Sequence, residues 1–157
     1  MIRPTTPADT DDLVALADAT GMFKAIEIVA LREVLDDYHA ANRVLGHRCV
    51  SAEADGAIVG FAYYAPAAMT DRTWYLYWIA VRKDQQGQGL GSRRLRFVEN
   101  DLAADRKARV LLVETGSLPH YEMTRQFYRN HGYEQHALLQ DYYADGDSMI
   151  VFRKAFD

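Results

Sequence analysis

The 157-residue sequence has one cysteine, Cys49, and that scarcity removes two chemistries at once. No internal disulfide can form and no cysteine metal cluster can be assembled, which fits a reducing, cytoplasmic setting. No apolar run approaches the ~18 residues that mark a membrane span. The N-terminus lacks a basic-then-apolar leader pattern. Tandem repeats, low-complexity segments and interdomain linkers are also missing. Neither sign of charge is in large excess: the formal net charge is −4 with 25% charged residues, so bulk electrostatics does not point to nucleic acid as a partner. Apolar residues make up 49% of the chain, enough at this length for one domain, 1–157, with a sizeable core.

Ile2-Arg3 reads as a short first strand. Thr6-Pro7-Ala8-Asp9 has the pattern of a helix start, with a threonine cap, proline at the first helical position and an acidic residue three after the cap. Leu13, Leu16 and Ala17 continue at helical spacing towards Gly21, and Met22 to Leu45 forms a second helical region with room for a kink. Cys49–Glu53 and Ala57–Tyr64 read as strands around the hairpin signal Ala54-Asp55-Gly56, and Pro66 stops the second. An aromatic strand, Trp74–Val81, leads to a glycine-rich bend and then a helix from Leu90 to Asp105. The apolar stripe of that helix is Leu95, Val98 and Leu102, with Arg94, Glu99 and Asp101 expected largely outside it. Arg109–Glu114 is a short apolar strand, Glu122–His131 a helix stopped by Gly132, and Tyr133–Leu139 and Met149–Lys154 are strands joined across Asp145-Gly146-Asp147. The order β-α-α-β-β-β-α-β-α-β-β implies a mixed sheet with helices on both faces, an α/β (α+β mixed) fold class.

The stretch that carries chemistry is Trp74–Ser92, in which Gly87, Gly89 and Gly91 alternate directly before a helix. Glycine lets the backbone turn and approach a ligand closely. The free N–H groups of the helix start, at the positive end of its dipole, then favour a phosphate. A P-loop needs Gly-Lys-Ser/Thr, and no lysine stands among or directly after these glycines. A dinucleotide fingerprint needs its third glycine where Ser92 stands, and it opens a βαβ unit, whereas this bend lies mid-chain. A ligand-free glycine turn is the bland alternative. Arg82, Lys83, Arg93, Arg94 and Arg96 surround the bend, either facing a phosphate or lining a solvated helix face.

Gln86, Gly89 and Gly91 after Ile79-Ala80-Val81 resemble the Gln/Arg-x-x-Gly-x-Gly/Ala motif of the Gcn5-related N-acetyltransferase (GNAT) superfamily. A second family motif is matched by Phe127-Tyr128-Arg129-Asn130-His131-Gly132-Tyr133, and the element order matches over nearly the whole chain. The resemblance implies a GNAT fold, with a central mixed, mainly antiparallel sheet splayed at the fourth strand. It also implies acetyl-coenzyme A as cosubstrate and no metal. The backbone of Gln86, Gly87, Gln88, Gly89, Leu90, Gly91 and Ser92 would hold the pyrophosphate. Ile79, Ala80 and Val81 would run beside the pantetheine arm, with the Ile79 N–H aimed at the acetyl carbonyl oxygen. One such donor is worth about 10²–10³ in rate.

Tyr128 would protonate the leaving thiolate, since a phenol near pKa ~10 can serve a thiol near ~8.5 within hydrogen-bond reach; the alternative is a packed structural tyrosine. Glu114 would be the general base or else an ion-paired carboxylate, with His120 and Tyr121 in the following loop able to relay a proton. That loop, Thr115–Tyr121, lacks the asparagine common in the family. On the acceptor side, Tyr142-Tyr143-Ala144-Asp145-Gly146-Asp147 resembles the tyrosine loop of protein amino-terminal acetyltransferases, or is an ordinary acidic turn. Phe23 and Tyr77, with Tyr75, would line the opposite wall or join the core. Cys49 lies far from these motifs in sequence, so a covalent acetyl-cysteine step has little support. These residues imply transfer to a small-molecule or amino-acid-like amine in a ternary complex, with a peptide amino terminus as the alternative acceptor. A non-catalytic coenzyme A-binding module is the alternative from another class. Family members are often dimers, and a homodimer stays open here.

Overall fold

Seven strands and four α-helices make up most of the computed structural model, which describes residues 1–156. In chain order they are β1 (Ile2–Pro4), α1 (Thr10–Ala19), α2 (Ala25–Asp37), β2 (Arg48–Ala54), β3 (Ala57–Pro66), β4 (Thr73–Val81), α3 (Leu90–Ala103), β5 (Val110–Gly116), α4 (Glu122–Asn130), β6 (Glu134–Ala144) and β7 (Asp147–Ala155). The strands hydrogen-bond in the order β1-β2-β3-β4-β5-β7-β6. Pairing is antiparallel in β1–β2, β2–β3, β5–β7 and β6–β7, and parallel between β4 and β5. A parallel pair needs a long crossover, and α3 supplies it. The element order implied a mixed sheet and the family resemblance a mainly antiparallel one, and the pairing has both properties. Among the described residues no helix is long and apolar enough to cross a membrane.

The chain forms two compact units, Met1–Ala65 with Trp78–Asp101, and Pro66–Tyr77 with the residues from Leu102 onward. In the first unit, the start signal at Thr6 becomes a short 3₁₀ turn, Pro7–Asp9, that leads into α1. The Thr6 N–H and hydroxyl both donate to Asp9 Oδ2, at 2.8 and 3.1 Å. Arg3 grips the same carboxylate through Nη1 at 2.7 Å and Nη2 at 2.9 Å. The Arg3 hydrogen bonds, chiefly, hold the Asp9 carboxyl down at about 2. The core of this unit joins Leu13, Leu16, Leu31, Leu35, Tyr38, Cys49 and Phe61, all buried. The break expected within Met22–Leu45 is a π-helical turn, Tyr38–Asn42, at the end of α2. It turns the Tyr38 ring edge-on to Tyr63, with centroids 5.6 Å apart. In β3, the run Val59–Ala65 is buried throughout, as a strand covered on both faces should be.

One expectation for α3 fails. Leu95, Val98 and Leu102 are fully buried as read, but Arg94 is buried with them at 2% exposure. Asp101 also turns inward, accepting from the Tyr64 hydroxyl at 2.8 Å and pairing with Arg48 at 3.3 Å. Glu99 is half-buried. The spacing holds the reason: Arg94, Val98 and Leu102 are four residues apart and so share one helix face.

In the second unit, the ladder between β4 and β5 runs from Thr73↔Val110 to Leu76↔Val113 and stops there, although both strands continue. β5 pairs with β7 along its whole length, Val110↔Ala155 to Gly116↔Met149. The last hairpin is longer than its sequence pattern indicates. Ala144 pairs with Asp147 across a two-residue Asp145-Gly146 turn, so Tyr142 and Tyr143 belong to a strand and not to a loop.

The Arg3–Asp9 pair yields a pH prediction. Because the folded pKa of Asp9 lies below its value of 3.8 in the open chain, its contribution is complete above about pH 4 and is lost as pH falls towards 2. Asp9→Asn is expected to cost about 2 kcal/mol at pH 7 in urea unfolding, and less at pH 3. An equal loss at both pH values would show that the charge is not what matters.

Candidate functional site

The glycine bend belongs to the first unit, at the end of β4. Arg82 donates its N–H to Val59 O at 2.8 Å, and a 3₁₀ turn, Lys83–Gln85, follows. Gln86 Nε2 reaches back to Val81 O at 3.2 Å and ties the bend to the strand end. Gly87 and Gly89 take φ of +81° and +76°, a region that side chains disfavour. A Cβ at either would meet nothing within 4 Å, so backbone conformation, and not crowding, calls for glycine. Gly91 differs: it lies inside the first turn of α3 and has no positive φ. That turn closes with Arg93 N–H on Gly89 O at 3.1 Å. The N–H groups of Gly87, Gln88, Gly89, Leu90, Gly91 and Ser92 make no backbone hydrogen bond among the described residues. A run of unspent donors at a helix start is the arrangement that accepts phosphate oxygens.

One turn into α3 stands the buried Arg94. Its Nη1 donates to Ala80 O at 3.3 Å, while its Nε has no partner. Burial lowers its pKa to about 10. Ile79 and Val81 flank Ala80 and are half-buried. Phe23, expected on a substrate wall, tilts against Trp78 with centroids 5.1 Å apart and packs on the hydrophobic core. Cys49 is buried, and desolvation pushes its thiol up to about 12, far from a nucleophilic thiolate.

The second unit holds the acid–base candidates. Glu114 sits in β5 opposite Val151, one residue past the end of the β4–β5 ladder. Partial desolvation raises its pKa above the usual carboxylate value. Tyr75 and Tyr77 stack on each other, centroids 5.3 Å apart and planes at 23°. Burial raises both phenols, and the Glu114 charge adds to the effect. Tyr128 on α4 is 2% exposed, its ring edge-on to Phe127 and Tyr133. Its hydroxyl makes no hydrogen bond among the described residues, and burial alone pushes the phenol well above its ordinary value. The phenol is therefore protonated at neutral pH with its donor unspent.

The segment after Glu114 is held by a residue that motif reading missed. Arg125, buried on α4, donates from Nη1 to Gly116 O at 2.7 Å and Leu118 O at 3.0 Å, and pairs with Glu122 at 2.7 Å. Its place three residues before Tyr128, on the same helix face, was the available signal. His120 and Tyr121 tilt against each other, centroids 4.1 Å apart, in a 3₁₀ turn beyond Leu118, with His120 exposed. Tyr142 and Tyr143, both exposed, meet edge-to-face at 5.1 Å. They stand where the β6–β7 register breaks, between Leu139↔Met149 and Ala144↔Asp147. Asp141, at φ +53°, shapes that break by accepting Gly146 N–H at 2.9 Å. Among the described residues no cluster of His, Cys, Asp and Glu could hold a metal ion.

Arg125→Ala would leave two backbone carbonyls without their donor. A loss of about 2–3 kcal/mol is expected in chemical unfolding, partly restored by lysine. A change under 0.5 kcal/mol would show that the segment holds itself.

Comparison with known proteins agrees with this architecture. Residues 46–135 match the family of acetyltransferase (GNAT) domains. An uncharacterized N-acetyltransferase from Methanocaldococcus jannaschii is 32% identical over 105 residues, which cover 66% of this chain and 63% of that protein, less than two thirds of its length. A crystal structure of a proposed GNAT-family acetyltransferase from Desulfovibrio desulfuricans superposes with a TM-score of 0.92 at 31% identity, covering 99% of this chain and 98% of the other. An aminoglycoside 6′-N-acetyltransferase complexed with coenzyme A shares the fold, with a TM-score of 0.78 at 18% identity over 99% of this chain and 96% of that one. The motifs at Gln86–Gly91 and Phe127–Tyr133, the interrupted β4–β5 ladder and the family match agree, and the chain belongs to the GNAT acetyltransferase family.

Proposed function

We propose that this chain is an N-acetyltransferase that moves the acetyl group of acetyl-coenzyme A to the primary amine of a small or amino-acid-like acceptor, by direct attack. The observation that carries the reading is the run of unspent N–H donors from Gly87 to Ser92 between a strand end and a helix start. These donors, with Gln86, hold the pyrophosphate, and the β4 end at Ile79–Val81 runs beside the pantetheine arm. The bound coenzyme supplies an acetyl thioester, an acyl group activated towards amines. The Ile79 N–H donates to the carbonyl oxygen as negative charge grows there. Glu114 takes the proton that the amine must lose, directly or through water. Its raised pKa makes it a better base than an ordinary carboxylate. Tyr128 gives its proton to the departing thiolate. The unspent hydroxyl and the raised pKa support that role, because both keep the proton in place until it is needed.

One observation favours a peptide amino terminus as acceptor. Tyr142 and Tyr143 are exposed at a register break, where a bound backbone would find partners. Tyr77 and its stacked neighbour Tyr75, with Glu114 one residue past the end of the β4–β5 ladder, favour a compact cationic amine instead. His120 and Tyr121 edge the same segment and are assigned to acceptor binding in either case. A binding module without catalysis would have no use for an unspent phenol donor.

Release of free thiol from acetyl-coenzyme A, measured over a panel of amines and short peptides, tests the reading. Amine-stimulated release is expected, and its absence alongside tight coenzyme binding would leave only the binding module. Tyr128→Phe should lower turnover at least tenfold with coenzyme affinity little changed; undiminished turnover would remove the proton-donor role. With Glu114 as base, the rate should climb as pH rises through a value above the usual carboxylate range. Glu114→Gln should flatten that limb, and a limb that survives unchanged assigns the base elsewhere.

A further inference from the structure

Among the described residues Arg94 is the largest side chain to be fully enclosed, yet it has no carboxylate partner among them. It spends one hydrogen bond on the Ala80 carbonyl and leaves Nε without an acceptor. The space is made by Gly60, where a Cβ would lie 2.4 Å from Arg94 Cζ and Nη1 and 2.6 Å from the Ala80 oxygen. Burying an uncompensated guanidinium costs folding free energy, and an apolar side chain of similar size would serve packing better. A second positive centre is close by. α3 begins at Leu90, one turn before Arg94, and its first N–H groups are unspent. Through the Ala80 carbonyl the guanidinium sits at the end of β4, one residue before the Val81 carbonyl to which Gln86 of the bend is tied. Two positive centres of this kind, one desolvated, call for an anion that the chain itself does not supply.

We propose that Arg94 is a buried counter-charge for the diphosphate that the Gly87–Ser92 bend receives, a positioning residue that attracts the ligand through space and steadies the strand end through the Ala80 carbonyl. The role rests on the coenzyme reading above. Burial excludes screening salt, so the attraction persists at a range where a surface arginine would be neutralised. The chain then accepts a less stable ligand-free state in return for tighter retention of phosphate.

The test is isothermal titration of inorganic pyrophosphate, coenzyme A and pantetheine into the parent chain, Arg94→Met, Arg94→Gln and Arg94→Lys, with thermal unfolding of each without ligand. Arg94→Met and Arg94→Gln should bind pyrophosphate and coenzyme A at least tenfold more weakly, bind pantetheine within twofold of the parent, and unfold at no lower a temperature. Arg94→Lys should recover pyrophosphate affinity to within threefold. Should Arg94→Met fail to fold, Arg94→Gln, which keeps a donor for Ala80, carries the comparison. Pyrophosphate affinity within twofold of the parent in the neutral variants would overturn the proposal. So would an equal loss for pantetheine with a lower unfolding temperature, the behaviour of a packing residue. A parent chain that takes pyrophosphate but not coenzyme A overturns the coenzyme reading and leaves the counter-charge role standing, read on pyrophosphate alone.

Discussion

The short ladder between β4 and β5 is the constraint on which the rest turns. The two strands share parallel pairing only from Thr73↔Val110 to Leu76↔Val113. Beyond that point each continues without the other, and buried backbone groups must find partners elsewhere or leave them unspent. The consequences gather at the strand ends. β5 runs on to Gly116 against β7, and Arg125 collects the carbonyls of Gly116 and Leu118. β4 runs on to Val81, where Gln86 returns to its carbonyl and Arg94 takes that of Ala80. Each unit thus closes its own strand end with a side chain from a following helix or bend.

Desolvation works in opposite directions on the groups that matter. It raises Tyr128, Tyr75, Tyr77 and Glu114, keeping the phenols protonated and the carboxyl more basic. It lowers Arg94 without bringing it near neutrality at physiological pH. In the second unit low polarity therefore tunes groups suited to proton transfer, and in the first it sharpens a charge. Cys49 is removed from chemistry by the same effect.

Much of this was legible in the sequence, for reasons that differ by element. Strands such as Ala57–Pro66 and Thr73–Val81 announce themselves because apolar runs between turn residues have few other solutions. The Thr6–Asp9 start and the Asp55-Gly56 turn follow from local chemistry. What the sequence concealed depends on partners distant along the chain. That Arg94 is buried follows from a gap at Gly60, 34 positions earlier, which no helical pattern around Arg94 records. The length of β6 follows from its pairing with β7, and the Asp-Gly signal beside Tyr142-Tyr143 marks the turn without reporting that pairing. Alternate spacing groups Gly91 with Gly87 and Gly89, but spacing does not report φ.

The outer strand carries one more consequence. Every residue of β6 is exposed, and it ends the strand order, so one row of its backbone groups faces no neighbour among the described residues. Such a rim ordinarily invites open-ended addition of further chains, the route to fibres. Here the register shifts twice, between Gln135 and Ala137 and between Leu139 and Ala144, and Asp141 turns its N–H inward to Ser148 Oγ at 3.0 Å. A chain laid along this rim loses alignment within a few residues. The irregularity that presents Tyr142 and Tyr143 thus also limits templated growth along the sheet.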